Sequence, residues 1–298
     1  MPTQTKNPMN PIKLSNVLII YNSEKEHALE SATQAKDFLT HAGIQAEICP
    51  HHKNSDTTHI KKCAIGCDAI VVLGGDGTIL GIVRELADSP RPLLGINMGG
   101  FGFLTSCASH ELNIALRCLI EQRWQIQNRY FLRTSITRTS TSQPVEVFNS
   151  LALNEALLTR SQPGRLMELW LGENRESALA YRADGLIMST ATGSTGHSLS
   201  AGGPILDPNL AALVITPVSP HSLFNRPLVF GGEKTLHVWF NDSAEELLLI
   251  LDGQVRTQLH ASDWVTIRLS QRTFPTISMP GRTFSEVLRY KFNLRGTP

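Results

Sequence analysis

An α/β domain followed by a β-rich domain is the fold the sequence predicts, and three observations carry the prediction. Apolar strand-like runs alternate with amphipathic helical segments as far as Trp124. Two of those runs, Ala69–Leu73 and Leu93–Asn97, lead directly into glycine-rich turns. After Arg129 short apolar runs follow one another through turns, with little helical periodicity between them. With 298 residues, of which 41% are hydrophobic, the chain is long enough for two domains. The boundaries expected are 1–130 for the α/β domain, 131–275 for the β-rich domain, and 276–298 for a tail that returns to the first.

Taken in order, Val17–Tyr21 is a strand, and Ser23 with Glu26 three residues on reads as a capping box opening a helix. Ala28, Leu29, Ala32, Ala35, Phe38 and Leu39 give that helix its apolar stripe, and Gly43 ends it. Ile44–Cys49 is a second strand. Ala69–Leu73 is a third, apolar on both faces, with a helix from about Ile79 to Ala87 after it. Leu93–Asn97 is a fourth, followed by the turn Met98–Phe103 and a capped helix from Ser109 through Trp124. A parallel sheet of this kind binds ligands at the carboxyl ends of its strands, where both glycine turns lie. Beyond Arg129 the expected strands are Phe131–Thr137, Val145–Leu158, Leu166–Leu171, Ser177–Ser189, Leu213–Pro217, Thr235–Phe240, Glu246–Leu251 and Trp264–Leu269. Thr139–Gln143 reads as a polar loop, and Phe284–Leu294 as an amphipathic tail.

The bulk properties exclude several classes of function. Lys+Arg of 27 against Asp+Glu of 26 leaves a formal charge of +1, so no overall field recruits nucleic acid or anionic membrane. Met1–Lys13 has no apolar core and no 18-residue apolar run occurs elsewhere, so neither a signal peptide nor a membrane span is expected. Five scattered cysteines suit a reducing cytoplasm. Cys49, His51, His52, His59, Cys63 and Cys67 invite a zinc reading, but the usual paired two-residue spacings are absent. They are therefore expected to be loop histidines and buried thiols, and no residue is assigned as a metal ligand.

The turn Gly74-Gly75-Asp76-Gly77-Thr78 is the most informative motif. Its glycines allow positive φ and close approach of a ligand, and successive N–H groups in such a turn attract phosphate. A single carboxylate there is placed to take a proton from a hydroxyl beside the phosphates, so Asp76 points to phosphoryl transfer to an alcohol. A purely structural turn with Asp76 as helix cap is the alternative. The Gly-Lys-Ser/Thr ending of a P-loop is missing, and Gly99–Phe103 fails the spacing of a dinucleotide fingerprint. Residues 181–204 are dense in hydroxyls and glycines, which suits a polar pocket. Gly193-Ser194-Thr195-Gly196 is one residue too short for a nucleophile elbow, which argues against a hydrolase built on His197 or His221. Asn154-Glu155 places an amide and a carboxylate inside an apolar run, so one of them faces inward or over a cleft, the alternative being an edge position with both wet. As a functional pair they suit an adenine edge and a ribose hydroxyl.

Together these motifs resemble the NAD kinase family. The resemblance rests on Gly74–Thr78, Asn154-Glu155-Ala156, Asp184-Gly185-Leu186-Ile187 with the following Thr-Gly-Ser-Thr, Ser200-Ala201-Gly202-Gly203-Pro204, and Thr216-Pro217 with Pro220-His221-Ser222 and Arg226-Pro227. Diacylglycerol and sphingosine kinases and phosphofructokinases carry turns similar to the first motif, whereas the ordered set is specific. The resemblance implies phosphorylation of the 2′-hydroxyl of the adenosine ribose of NAD, giving NADP, with ATP or polyphosphate and a divalent cation, Mg²⁺ or Mn²⁺. It implies Asp76 as general base, donor phosphates beside Gly74, Gly75, Gly77 and Thr78, and Phe103 against the adenosine. It further implies dinucleotide contacts from Asn154, Glu155, Arg182, Asp184, Thr192, Thr195, Gly196, His197, Ser200, Asp252 and Gln254. His197 stands where the family commonly has tyrosine, and Gly196 where it commonly has alanine. The family's architecture is an α/β domain with a β-sandwich-like domain, assembled as a homodimer or homotetramer.

Overall fold

The computed structural model describes residues 13–52, 58–100, 102–139, 143–160, 167–221, 226–240 and 247–293. The chain divides into two compact units, Met1–Gln127 with Pro275–Pro298, and Asn128–Phe274.

The first unit alternates strand and helix through β1 (Asn16–Asn22), α1 (Ala28–His41), β2 (Gln45–His51), α2 (Thr58–Cys63), β3 (Ala69–Gly74), α3 (Asp76–Glu85), β4 (Leu93–Asn97), β5 (Cys107–Ala108) and α4 (Leu112–Ile120). The strands pair in parallel in the order β2-β1-β3-β4, with β5 beside the end of β4. All six residues of β3 are buried, as a strand covered on both faces requires. Val17, Ile19, Leu39, Val71, Leu73, Ile96 and Leu116 form the core.

Three expectations in this unit change. The helix after β1 begins at Ala28 and has no capping box: the Ser23 hydroxyl donates to the His51 carbonyl (3.2 Å) and meets His52 Nδ1 (2.6 Å). Tying Ser23 to the end of β2 removes it from the helix start. The helix after β3 begins three residues earlier than expected, at Asp76 itself. The segment from Ser109 begins as a single tight 3₁₀ turn, Ser109–Glu111, where the Glu111 carboxylate accepts the Ala108 N–H (2.9 Å), and α4 then ends at Ile120.

The second unit is built from β6 (Gln125–Thr139), β7 (Pro144–Ala152), β8 (Glu155–Arg160), β9 (Met167–Gly172), β10 (Leu179–Ala183), β11 (Gly185–Thr190), a 3₁₀ turn Thr192–Thr195, α5 (His197–Ser200), β12 (Ala212–Val218), β13 (Leu228–Gly231), β14 (Thr235–Phe240), β15 (Leu247–Leu251), β16 (Val255–Leu259) and β17 (Asp263–Ser278). One antiparallel sheet has the order β13-β12-β11-β8-β15-β16. The other runs β10-β9-β14-β17, also antiparallel, with the β6–β7 hairpin joined to β17. Leu158, Met188, Leu213 and Leu249 from the first meet Leu132, Leu169, Val238 and Ile267 from the second in one core, so the unit is a β-sandwich.

Here two long expected strands are each broken, at Leu153–Asn154 and at Asp184, while β13 and β16 were not anticipated. Four- and five-residue strands with one wet face leave too short a pattern to read. The tail forms α6 (Phe284–Lys291), where Thr283 and Glu286 make a capping box and no residue is buried. Residues 140–142, within the expected polar loop, lie outside the described residues, as do Phe101, Ser222 and Leu294. No helix among the described residues is long and apolar enough to cross a membrane.

Candidate active site

In the first unit, β3 delivers the chain to Gly75, which is extended (φ −106°, ψ −177°), and α3 starts at Asp76. The positive φ that glycine allows is not used at Gly74, Gly75 or Gly77. Their reasons differ. A Cβ at Gly74 would lie 2.7 Å from Thr78 Oγ1, which is buried and accepts from Asn22 Nδ2 (3.0 Å). A Cβ at Gly75 or Gly77 would meet nothing within 4 Å, so open space adjoins both backbones.

Asp76 does not act as a side-chain cap for its own helix. Its carboxylate reaches the second glycine turn, where Oδ2 accepts the Phe103 N–H (2.8 Å) and Oδ1 the Leu104 N–H (3.1 Å). That turn is fixed in its own right: Thr105 Oγ1 accepts from Gly102 N–H (3.1 Å), and Asn97 Oδ1 accepts from Gly99 N–H (2.8 Å). Gly102 is required by contact, since a Cβ there would overlap Asp76 Oδ1 and fall 2.6 Å from its Cγ. Two parallel strands thus end in turns that lock one half-buried carboxylate between them, with lone pairs remaining on both oxygens. Phe103 is itself flanked, by Phe292 with ring centroids 6.4 Å apart and by Lys291 Nζ at 5.4 Å. Nothing in the periodicity of residues 284–294 indicated that contact.

In the second unit the organising residue is Asp252, in the turn after β15 with φ 48°. Its carboxylate accepts three successive N–H groups, from Leu153 (2.7 Å), Asn154 (2.8 Å) and Glu155 (3.1 Å). Capturing those amides takes them out of any strand ladder, and this is why the run from Val145 to Leu158 is two strands. Thr190 clamps the same stretch, with Oγ1 donating to the Leu153 carbonyl (2.6 Å) and accepting from Gly193 N–H (3.1 Å). The turn Thr192–Thr195 is therefore laid directly on Asn154: a Cβ at Gly193 would overlap the Asn154 carbonyl oxygen. One at Gly196 would lie 3.4 Å from Glu155 Oε2 and 3.5 Å from Asn154 Nδ2.

Asn154 Oδ1, Glu155 Oε2 and Thr192 Oγ1 are all buried without a hydrogen-bond partner. Each such atom costs about 1–3 kcal/mol unless something binds it, so three together make this cluster the candidate ligand site. The reading of Asn154 and Glu155 as a wet edge pair is thereby overturned, as Glu155 is 9% exposed. Burial, and secondarily the Asp252 charge, pushes the Glu155 carboxyl up to about 8. At neutral pH it carries a proton and can both donate and accept. An acid whose pKa rises on folding contributes stability that is full below its ordinary value of 4.5 and is lost as pH climbs through about 8. Glu155→Gln, which cannot ionise, should therefore flatten the fall in melting temperature over that interval; parallel wild-type and variant profiles would contradict the assignment.

The other residues anticipated from sequence are placed as follows. Thr195 is half-buried, with Oγ1 donating to the Thr192 carbonyl (3.2 Å), while His197 and Ser200 are exposed at the two ends of α5. Ser194 and Ser198 serve the framework: Ser194 Oγ donates to the Ala191 carbonyl (2.7 Å), and Ser198 Oγ meets Thr216 Oγ1 (2.8 Å). Gln254 is exposed beside Asp252, closing the turn by donating its N–H to the Leu251 carbonyl (2.9 Å). Arg182 and Asp184 are not brought to this cluster. They precede β11 whereas Thr192–Ser200 follow it, and a six-residue strand separates them by about 20 Å. Arg182 is exposed, with Nε 3.3 Å from Glu168 Oε1. The expected strand Ser177–Ser189 already ran between Asp184 and Thr192, and its length carries the two ends of the dense motif apart.

Comparisons with known proteins identify the family. Residues 17–124 match the family model of the ATP-NAD kinase N-terminal domain, and residues 153–279 that of the ATP-NAD kinase C-terminal domain. The NAD kinase of Geotalea daltonii is 37% identical over 83% of this chain and 86% of its own length. That of Heliobacterium modesticaldum is 34% identical over 93% and 98%. Among solved structures, yeast NADH kinase complexed with NADH shares the fold with a TM-score of 0.81, 21% identity and coverage of 97% of this chain and 90% of that one. An NAD kinase from Archaeoglobus fulgidus in complex with ATP gives a TM-score of 0.69 at 24% identity, covering 93% and 97%. With both domain families matched in order and relatives of this identity along most of its length, the chain belongs to the NAD kinase family.

Proposed function

We propose that Asp76 is the general base with which this kinase phosphorylates NAD, taking the proton from the 2′-hydroxyl of the adenosine ribose as the phosphoryl group of ATP arrives. The hydroxyl oxygen forms its bond to the γ-phosphorus, the bond to the ADP leaving oxygen breaks, and the proton passes to the carboxylate, giving NADP and ADP. The observation that carries this reading is the carboxylate held by the Phe103 and Leu104 N–H groups at the junction of two glycine turns. A base held this way loses little freedom on reaction. The open backbone at Gly75 and Gly77, at the start of α3, suits the donor phosphates, with Gly74 and Thr78 shaping the turn behind them.

The nucleoside part of NAD is assigned to Asn154, Glu155, Thr192 and the turn through Gly196. An amide offers adenine both a donor and an acceptor, and a protonated Glu155 can give a ribose hydroxyl the same. Asp252 is a positioning residue, shaping this subsite through three backbone amides. Thr195, Ser200 and Gln254 extend the polar lining, and an adenosine contact from Phe103, in the first unit, rests on the family resemblance alone. Arg182 and Asp184 contact the dinucleotide only by a route other than this cluster.

A divalent cation, Mg²⁺ or Mn²⁺, accompanies ATP in this reading and offsets the charge developing on the transferred phosphoryl group. The residues present fit it: Mg²⁺ is usually held by one or two carboxylates with substrate phosphates, and Asp76 keeps lone pairs beyond its two amide contacts. A homodimer or homotetramer and a cytoplasmic location follow from the family resemblance, and light scattering of the purified chain reads the first.

The direct test incubates the purified chain with NAD, ATP and Mg²⁺ and follows product with an NADP-specific dehydrogenase. NAD binding without NADP formation, across several donors and cations, would instead make the chain a dinucleotide sensor. At His197 the imidazole offers a smaller face than the tyrosine common in the family. His197→Tyr should lower KM for NAD about 3- to 10-fold with little change in kcat, from the modest gain in stacking; an unchanged KM would remove His197 from the site.

A further inference from the structure

Cys49, His59 and Cys63 belong neither to the Asp76 turn nor to the Asn154–Glu155 cluster. Cys49 lies on β2 and is 1% exposed, and its strand neighbours fix it in place. His59 and Cys63 are one helical turn apart on α2, so they share a face, with His59 exposed and Cys63 half-buried. The ligating atoms of all three lie within 4.8 Å of one another, and Cys63 Sγ is 3.7 Å from His59 Nε2. A tetrahedral zinc ion, with bonds of about 2.3 Å to sulfur and about 2.05 Å to nitrogen, separates a sulfur and a nitrogen by about 3.6 Å and two sulfurs by about 3.8 Å.

We propose that Cys49, Cys63 and His59 bind Zn²⁺, with a solvent oxygen in the fourth position. The reason sequence spacing argued against zinc is that the ligands come from two elements: α2 supplies a His-x₃-Cys pair, and β2 supplies the third ligand. The gradient from buried Cys49 to exposed His59 gives the ion a fixed floor and an open entry. Two soft sulfurs and an imidazole select zinc over Mg²⁺ or Mn²⁺, so this site is chemically separate from the cation that accompanies ATP. On binding, each thiol releases its proton to solvent, and the ion fastens α2 to β2.

The test uses the full chain, purified under reducing conditions, stripped with a chelator and titrated with Co²⁺. One equivalent should produce thiolate-to-cobalt charge-transfer absorption that Zn²⁺ abolishes. Cys63→Ser and His59→Gln should each weaken the apparent affinity by roughly 100-fold or more, whereas Cys118→Ala should titrate like wild type. Because His59 is exposed, its variant tests the site even if Cys63→Ser fails to fold. Absence of the charge-transfer band at one equivalent in the wild type, or wild-type titrations by both ligand variants, would overturn the proposal.

Discussion

Asp76→Asn should lower kcat for NADP formation by about 10²- to 10⁴-fold while leaving KM for NAD within a few-fold of wild type. Asparagine is nearly the same size, and its carbonyl oxygen can still accept one of the two N–H groups now held by the carboxylate. What it loses is the ability to take a proton. Its NH₂ group must also face either Phe103 N–H or Leu104 N–H, a donor against a donor, so a small loss of stability is expected as well. Thermal unfolding separates that from chemistry, because a variant that melts near wild type and turns over slowly has lost only the base. Equal rates for wild type and Asp76→Asn would remove the proposed mechanism and leave the family assignment standing.

Gly193→Ala should be the most damaging change in the second unit. The added Cβ would overlap the Asn154 carbonyl oxygen and stand 2.5 Å from its carbon and 2.7 Å from the Asn154 Cα. These are backbone atoms, and they cannot swing aside. Asp252 holds the Asn154 N–H, and the Asn154 carbonyl accepts the Thr190 N–H (2.9 Å), so both sides of the residue are already fixed. Overpacking of a well-packed site costs about 1–3 kcal/mol, and two constrained backbones leave little relaxation to reduce it. The turn must lift off Asn154, which spreads the three orphaned polar atoms and should weaken NAD binding by roughly 10-fold or more. Gly100→Ala is the comparison, with nothing within 4 Å of its Cβ position and no positive φ. Differential scanning calorimetry and NAD titration on both variants check the prediction; a Gly193→Ala protein that melts and binds like wild type would mean that Asn154 and the Thr192–Thr195 turn are not packed together.

Much of the fold was legible because its signals are local. Ala69–Leu73 is an unbroken apolar run ending in glycine, and Leu93–Asn97 is another run leading into a turn; each occupies its expected strand, with Gly74 added to the first. The misreadings come from interactions between distant residues. Ser23 looks like a helix cap until β2 claims its hydroxyl, and Val145–Leu158 looks like one strand until Asp252, almost a hundred residues later, takes three of its amides. Asp184 and Ser200 sit in one dense motif, yet β11 carries them to opposite ends of a sheet.

By itself the sequence determined the family, the two-domain order and the choice of Asp76 as the carboxylate to which the motifs point, because ordered motifs and strand-to-glycine transitions survive without knowledge of contacts. Only the tertiary structure decided how that carboxylate is held, that Glu155 is buried with its carboxyl pushed up to about 8, and that Cys49 meets His59 and Cys63. The physical reason is the same in each case. Orientation, desolvation and ligand geometry depend on which distant backbone amides and side chains the folded sheets bring within a few ångströms, and no pattern of spacing along the chain encodes that distance.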